Sequence, residues 1–444
     1  MDNARQAAFE VLLRVRRDGA YSNLAVDSVL KEKKGLDERD GAFVRAIVYG
    51  TLDRLIVLDY NLELYLNQPA RKLRPELQTI LRMGAYQILF MDKVPVSAAV
   101  NESVRLAKEN KSALAASLVN AILRRVADNG LRLPDEDKNR LTYLSVKYSC
   151  PEWIIKLWID SYGEENALAL AQEALKAAPV VIRVNTLKTS AEELIWTLAQ
   201  DGVVADKLPL LNDALVIEGT GSLENTDAYK NGMFYVQDTA SQLCCKALGA
   251  KPGETVFDLC AAPGGKTFTI AQIMENSGRI AAFDIYQSRV ELIKHGAERL
   301  GLGIVESNLA DATVYNNLYG TADRVLCDVP CSGLGIIRRK PEIRYKTRED
   351  IDILPDLQYR ILCNGMRYVK PGGILMYSTC TLNPAENAEV CDRFLSEHSG
   401  FAPLELLPEL ERYGEGERYL TLMPHLHSTD GFFMAAFVNN GESV

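Results

Sequence analysis

The stretch 256–267, VFDLCAAPGGKT, restricts the possible folds of this chain more than any other. Val256-Phe257-Asp258-Leu259 reads as a buried strand that breaks into the turn Ala261-Ala262-Pro263-Gly264-Gly265-Lys266. Helical spacing then runs from Thr267 through Ile270, Ile273 and Met274. Strand, glycine-rich turn and helix in that order let backbone N–H groups and a helix N-terminus approach a small molecule closely. The ending GGKT also closes a phosphate loop. That motif needs a further glycine where Cys260 stands, which argues against a nucleotide triphosphatase.

From about residue 237 strand and helix patterns alternate. Strands are expected at 255–259, 279–283, 304–307, 324–327 and 374–378, with helices at 241–248, 289–300 and 356–369. Repeated βα units imply a parallel, doubly wound sheet that binds ligands at the carboxyl ends of its strands. The last two strand patterns, 419–422 and 432–438, have no helical pattern between them. A closing antiparallel hairpin fits the seven-stranded, mostly parallel Rossmann-like sheet of class I methyltransferases better than a dinucleotide fold.

Residues 1–145 read as an all-α bundle, with apolar residues at helical spacing in Ala7-Ala8-Val11-Leu12-Val15 and Leu77-Ile80-Leu81-Ala85. Basic side chains cluster three times, at Arg14, Arg16 and Arg17, at Arg71, Lys72 and Arg74, and at Arg124 and Arg125. This part holds 23 Lys and Arg against 19 Asp and Glu, whereas the remainder is acidic within an overall charge of -9. Solvated helix faces would explain any one cluster; three on one bundle suit a phosphate-contacting surface. A polar linker is expected at 130–137, and residues 146–235 read as a small, RRM-like α/β module. Within it, Arg183 and Asn185 end a strand and suit either structure or a nucleic-acid backbone.

Apolar runs fall short of the ~18 residues a membrane span needs, and no apolar signal core follows the first residues. The nine cysteines include no CxxC pair, which speaks against a zinc site or a disulfide framework. A reduced, cytoplasmic, metal-free monomer is the expectation.

Strand ends carry the chemistry. Asp284, ending the second strand, stands where an acid accepts hydrogen bonds from ribose hydroxyls, and Asp311 follows the third. The fourth strand runs into Asp328-Val329-Pro330-Cys331-Ser332-Gly333 and the fifth into Ser378-Thr379-Cys380-Thr381. Two thiols and an acid thus converge on one rim. Carbon 5 of cytosine is a poor nucleophile until a thiolate adds at carbon 6, which divides one hard step into easier ones. A free thiol with pKa ~8.5 is mostly protonated at neutral pH, so a neighbouring cation such as Lys266 would favour the thiolate. A protonated Asp328 would supply the hydrogen bond at N3 of the base. Release then requires loss of the carbon-5 proton and a base. Two cysteines suit the RNA-type reaction, whereas one suffices for the DNA type.

Phe234-Tyr235-Val236-Gln237-Asp238, Cys260–Lys266, Asp328–Gly333 and Ser378-Thr379-Cys380, in this order, resemble the RNA cytosine-C5 methyltransferase family of the Sun/Fmu type. The helical stretches Ala7-Ala8 through Val15, 40–49 and 98–126 resemble the RNA-binding domain of the NusB antitermination factor. The resemblance implies Cys380 as nucleophile, Cys331 as the residue that helps release product, and Asp328 as the cytosine-binding acid. It also implies S-adenosylmethionine bound on Cys260, Ala261, Ala262, Pro263, Gly264, Gly265, Lys266, Asp284, Arg289 and Asp311, bordered by Asp328. Ser307–Asp311 lacks the family's glycine before its acid. The pairing with a NusB-like domain implies 16S ribosomal RNA, naked or partly assembled, as partner. Arg338, Arg339, Lys340 and Arg344, just after the catalytic turn, would contact phosphates. The domains expected are therefore 1–145, NusB-like; 146–235, small α/β; and 236–444, catalytic. A non-catalytic RNA-binding factor and a DNA-type methyltransferase using Cys331 are the rival readings.

Overall fold

A computed structural model of the chain describes residues 3–33, 35–110, 115–218, 223–410 and 418–441. They fall into two compact units, Met1–Lys176 with Ile337–Lys346, and Ala177–Ile336 with Thr347–Val444.

The first unit is helical. Ala7, Ala8, Val11 and Leu12 of helix Asn3–Asp18 share one core with Val44, Ile47 and Val48 of Glu38–Asp53. Ile80 and Leu81 of Pro75–Phe90 and Val119, Ile122 and Leu123 of Ala116–Asn129 complete it. Each helix presents the apolar stripe its three-to-four-residue spacing dictates. Asp37 and Asp40 form a reciprocal capping box that starts the second of these helices. The stretch 130–137 contains neither helix nor strand, and Asn61 pins it through the N–H and carbonyl of Arg132. The expected boundary at 145 falls inside helix Arg140–Tyr148. That helix and Glu152–Glu173, which buries Ile154, Ile155 and Trp158, belong to the helical unit, so the division by packing comes after Lys176.

The second unit begins with a four-stranded antiparallel sheet. Strands β1 (Val180–Val184), β2 (Val204–Leu208), β3 (Leu211–Glu218) and β4 (Phe234–Val236) lie in the order β2-β3-β1-β4. With helices Ala191–Gln200 and Asp227–Lys230 between them, this is the βαββαβ ferredoxin-like arrangement. β2, with two charged members in five, carries no clear alternation and was not expected.

The larger sheet has eight strands: β5 (Thr255–Asp258), β6 (Arg279–Asp284), β7 (Val305–Leu309), β8 (Ala322–Asp328), β9 (Val369–Thr379), β10 (Phe401–Leu404), β11 (Leu420–Leu422) and β12 (Phe432–Asn439). The order β9-β8-β5-β6-β7 is parallel throughout; β12 pairs antiparallel with β9, β10 and β11. The expected terminal hairpin is therefore present, and the strand beyond the expected seven is the edge strand β10. Its Pro403 obscures a strand pattern but is tolerated at an edge, where one side of the ladder is unpaired. Chain order reverses at β5, between β8 and β6. That switch point opens the carboxyl ends of β5, β6, β8 and β9 into one crevice.

Candidate functional site

β5 ends in Asp258, which is fully buried and whose Oδ2 accepts a hydrogen bond from Thr267 Oγ1 at 2.7 Å. Burial pushes its carboxyl up to about 7. Its Oδ1 is buried without a hydrogen-bond partner among the described residues. The turn Cys260–Lys266 follows, and helix Gly265–Ile273 starts inside it. Gly264 has φ +110°, and a Cβ there would lie 2.3 Å from the Phe268 ring. That ring is also flanked by Gly296, where a Cβ would come within 2.4 Å. Two glycines thus make room for one aromatic under the turn. Gly264→Ala should cost about 1–3 kcal/mol through strain and overpacking, read as a lowered midpoint of thermal unfolding with weaker ligand retention at the turn.

At the end of β6 Asp284 is buried and accepts the backbone N–H of Tyr286 at 3.0 Å. Arg289 Nη1 lies 3.9 Å from its carboxylate. Asp311 is exposed, and its Oδ1 accepts both the N–H and the hydroxyl of Thr313 at 2.8 and 2.7 Å. One of its two oxygens therefore serves its own turn.

β8 and β9 run side by side into the two cysteine loops. Cys331 Sγ and Cys380 Sγ are 3.2 Å apart. The Cys331 thiol is held well above its usual range by its hydrogen bond to Cys380, by burial and by the negative charges of Glu386 and Asp328. Asp328 Oδ1 accepts from Ser378 Oγ at 2.8 Å and Oδ2 from Lys266 Nζ at 2.7 Å. Burial alone would lower the Lys266 pKa, but the charge of Asp328, its hydrogen bond and the neighbouring Cys244 and Cys245 together outweigh it and the net shift is upward. Two expectations change here. Lys266 makes its hydrogen bonds to Asp328 and Ser241, with the Phe432 ring 5.1 Å away, rather than to either sulfur. Asp328 is engaged as an acceptor by two donors, which does not favour the protonated acid expected at N3.

Three of the expected RNA contacts are structural. Arg183 is buried and bonds Gln272, Gln242 and Asp213. Asn185 is buried and donates to the carbonyls of Gly232 and Leu300, fastening the small sheet to the catalytic domain. Arg344 is fully buried in the helical unit, where it donates to the carbonyls of Asp53 and Ala174. For Arg183 and Asn185 this decides between the two readings left open, in favour of structure, whereas Arg344 was read as a surface contact because charge usually means exposure; all find buried acceptors. Arg338 and Arg339 are half-buried and Lys340 is exposed over the Tyr21 ring. Of the basic clusters, Arg14 pairs with Glu32 at 2.7 Å and Arg17 with Glu76, whereas Arg71, Lys72 and Arg74 are exposed.

Sequence reasoning missed Asp258, although an acid inside an otherwise apolar strand before a glycine turn was a usable signal. It also missed Glu386. This fully buried residue accepts from Ser332 N–H at 2.8 Å, Gln358 Nε2 at 2.9 Å and Asn383 Nδ2 at 2.9 Å. Among the described residues no cluster of side chains suits a metal ion, and no helix is long and apolar enough to cross a membrane.

Residues 245–438 match the family model "16S rRNA methyltransferase RsmB/F", residues 2–128 the NusB family, and residues 150–224 the RsmF/B-like ferredoxin-like domain. The chain is 38% identical to the probable ribosomal RNA small subunit methyltransferase B of Bacillus subtilis, covering 99% of each chain. It is 36% identical to the Synechocystis protein of the same name, over 98% of this chain and 99% of that one. The solved structure of PH0851 superposes with a TM-score of 0.85 at 29% identity, over 97% of this chain and 98% of that one. A methyltransferase homologue from Pyrococcus horikoshii gives a TM-score of 0.60 at 31% identity, over 68% of this chain and 99% of that one. With the glycine turn, the paired cysteines and the helical region all accounted for along nearly the whole length, the chain belongs to the RsmB/F family and is a ribosomal RNA methyltransferase of that class.

Proposed function

We propose that the enzyme methylates carbon 5 of a cytosine in 16S ribosomal RNA, through a transient bond between Cys380 and carbon 6 of the base. The observation that carries this reading is the 3.2 Å approach of two thiols on the rim that also presents Asp328. S-adenosylmethionine, when bound, supplies an electrophilic methyl group. The site suits it: the unpartnered Oδ1 of Asp258 is a buried acceptor beside the turn, fit for an amine. The turn Cys260–Lys266, Asp258 and Asp284 would hold the cofactor, with Arg289 beside Asp284 and Asp311 at the margin.

Cys380 adds to carbon 6, and electron density moves to carbon 5 and N3. Asp328, with the Lys266 ammonium on Oδ2, faces the charge that develops on the base; a proton passes from that ammonium through the carboxylate to N3 on addition and returns the same way when the sulfur leaves. After methylation the carbon-5 proton passes to water and the bond from sulfur to carbon 6 breaks. The S–H of Cys331 donates to the departing sulfur. A base that reaches Cys380 must leave its stack, which favours naked or partly assembled RNA. Arg338, Arg339 and Lys340, with Arg71, Lys72 and Arg74, remain the proposed phosphate contacts. The small-subunit target is supported by the names of the relatives and by the NusB region.

The test is transfer of a tritiated methyl group to 16S transcripts, followed by digestion to nucleosides. The label should appear in 5-methylcytosine; label in any other nucleoside, or only with DNA, would overturn the proposal.

A further inference from the structure

Besides the contact between the two sulfurs, a network of hydrogen bonds joins the two cysteine loops. Gly335 N–H donates to the carbonyl of Cys380 at 3.0 Å, and Ser332 Oγ meets Thr381 Oγ1 at 2.6 Å. Asn387 accepts from Thr379 Oγ1 at 2.6 Å and donates to the carbonyl of Thr381 at 2.9 Å. At the centre is Glu386. Gln358 Nε2 donates both to Glu386 and, at 3.0 Å, to the carbonyl of Pro330, while Ser332 N–H donates to the same carboxylate oxygen. The residues on either side of Cys331 are therefore clamped to one buried acid. The backbone N–H and the two side-chain amides that meet the acid are all donors, which suits a carboxylate, an acceptor only.

A fully buried negative charge in this place does more than hold a loop. It acts on whichever sulfur lies nearer, and two of its three hydrogen bonds, from Ser332 N–H and from Gln358, tie it to the residues that flank Cys331, while the third, from Asn383, stays within its own loop. We propose that Glu386 is a positioning residue that keeps the proton on Cys331, and so reserves the thiolate for Cys380. The groups facing Cys331 agree in sign. Cys380, Glu386 and Asp328 all oppose ionisation of Cys331, and burial acts in the same direction. Tyr377, whose hydroxyl donates to the Glu386 carbonyl at 2.5 Å, is itself held neutral by burial. The charged Lys266 is bonded to Asp328. No net proton is gained or lost in this assignment: one proton is shared between two sulfurs, and Glu386 decides which retains it. This rests on the covalent reading above and assigns the acid in it. Cys331 enters as S–H and so can donate to the sulfur that leaves.

The experiment uses iodoacetamide on the full chain without RNA, with each cysteine peptide quantified by mass spectrometry across pH 6–10 (about the span a thiol titration needs). In the unaltered protein Cys380 should be alkylated first and Cys331 spared until alkaline pH. Faster alkylation of Cys331 in that protein would overturn the proposal without any variant. Glu386→Gln removes the charge at nearly constant shape, and should narrow the Cys380 to Cys331 ratio about tenfold, whereas Glu386→Asp should largely preserve it. A ratio unmoved in a cooperatively unfolding Glu386→Gln chain would also overturn it. Because the readout needs no methyl transfer, it is separate from the covalent reading, which stands or falls on the activity of Cys380→Ala.

Discussion

Cys331→Ala should convert the enzyme into a trap, while Cys380→Ala should reduce methyl transfer to background, a loss of roughly 10³-fold or more as for removal of other nucleophiles. The asymmetry follows from the site rather than from the residue type. Both thiols lie 3.2 Å apart and both are partly exposed, so proximity alone does not distinguish them. Their hydrogen-bonded surroundings do, since the residues on either side of Cys331 are clamped to the buried Glu386 through Ser332 N–H and Gln358. Without Cys380 no bond to carbon 6 forms, and no covalent species should be detected. Without Cys331 the bond forms but the departing sulfur loses its hydrogen-bond donor, so protein and RNA should remain joined after denaturation. Gel electrophoresis of each variant with labelled RNA and cofactor checks this directly. A stable adduct in Cys380→Ala, and none in Cys331→Ala, would exchange the two roles and favour the DNA-type mechanism.

How far the sequence leads depends on which kind of signal a residue leaves in it. Strand ends were legible because βα periodicity is strong and a polar residue after an apolar run marks the sheet's carboxyl edge. Asp284, Asp328, Cys331 and Cys380 were found in this way, and the structure places the last three together. Partnership was not legible. Lys266 and Asp328 are 62 positions apart, and nothing local shows that they form an ion pair rather than acting on sulfur and base separately. The same gap hid the buried arginines. Arg344 reads as one member of a basic loop, yet residues 337–346 leave the catalytic unit and pack among helices. There Tyr345 donates to the carbonyl of Leu52 at 2.5 Å, and Arg344 satisfies two carbonyls. Charge density suggested a surface, but hydrogen-bond satisfaction decided the position. Glu386 failed to register for a related reason, since its three donors come from positions 332, 358 and 383.

Lys266→Met should be the most damaging change that leaves both sulfurs in place. The side chains of Lys266 and Asp328 are 12% and 27% exposed, so water screens the pair weakly. Removing the ammonium leaves a carboxylate with Ser378 as its remaining donor at 2.8 Å. Breaking a largely buried pair from one side costs about 3–5 kcal/mol, and partial exposure of Asp328 places the expectation near the lower end. For a unit of this size that is a fall of roughly 6–10 °C in the unfolding midpoint. The double variant Lys266→Met, Asp328→Asn removes the stranded charge and should recover much of the stability. It should recover none of the activity, because the proton relay to N3 and the charge facing the base are both gone, together expected at about 10²-fold or more. Calorimetry and methyl transfer measured on the same three proteins separate the two effects. If the single variant lost less than about 1 kcal/mol, the range of an exposed pair, the contact would be a solvated surface interaction with no part in shaping the site. If the double variant regained activity along with stability, the pair would be structural, and the proton at N3 would have to come from elsewhere.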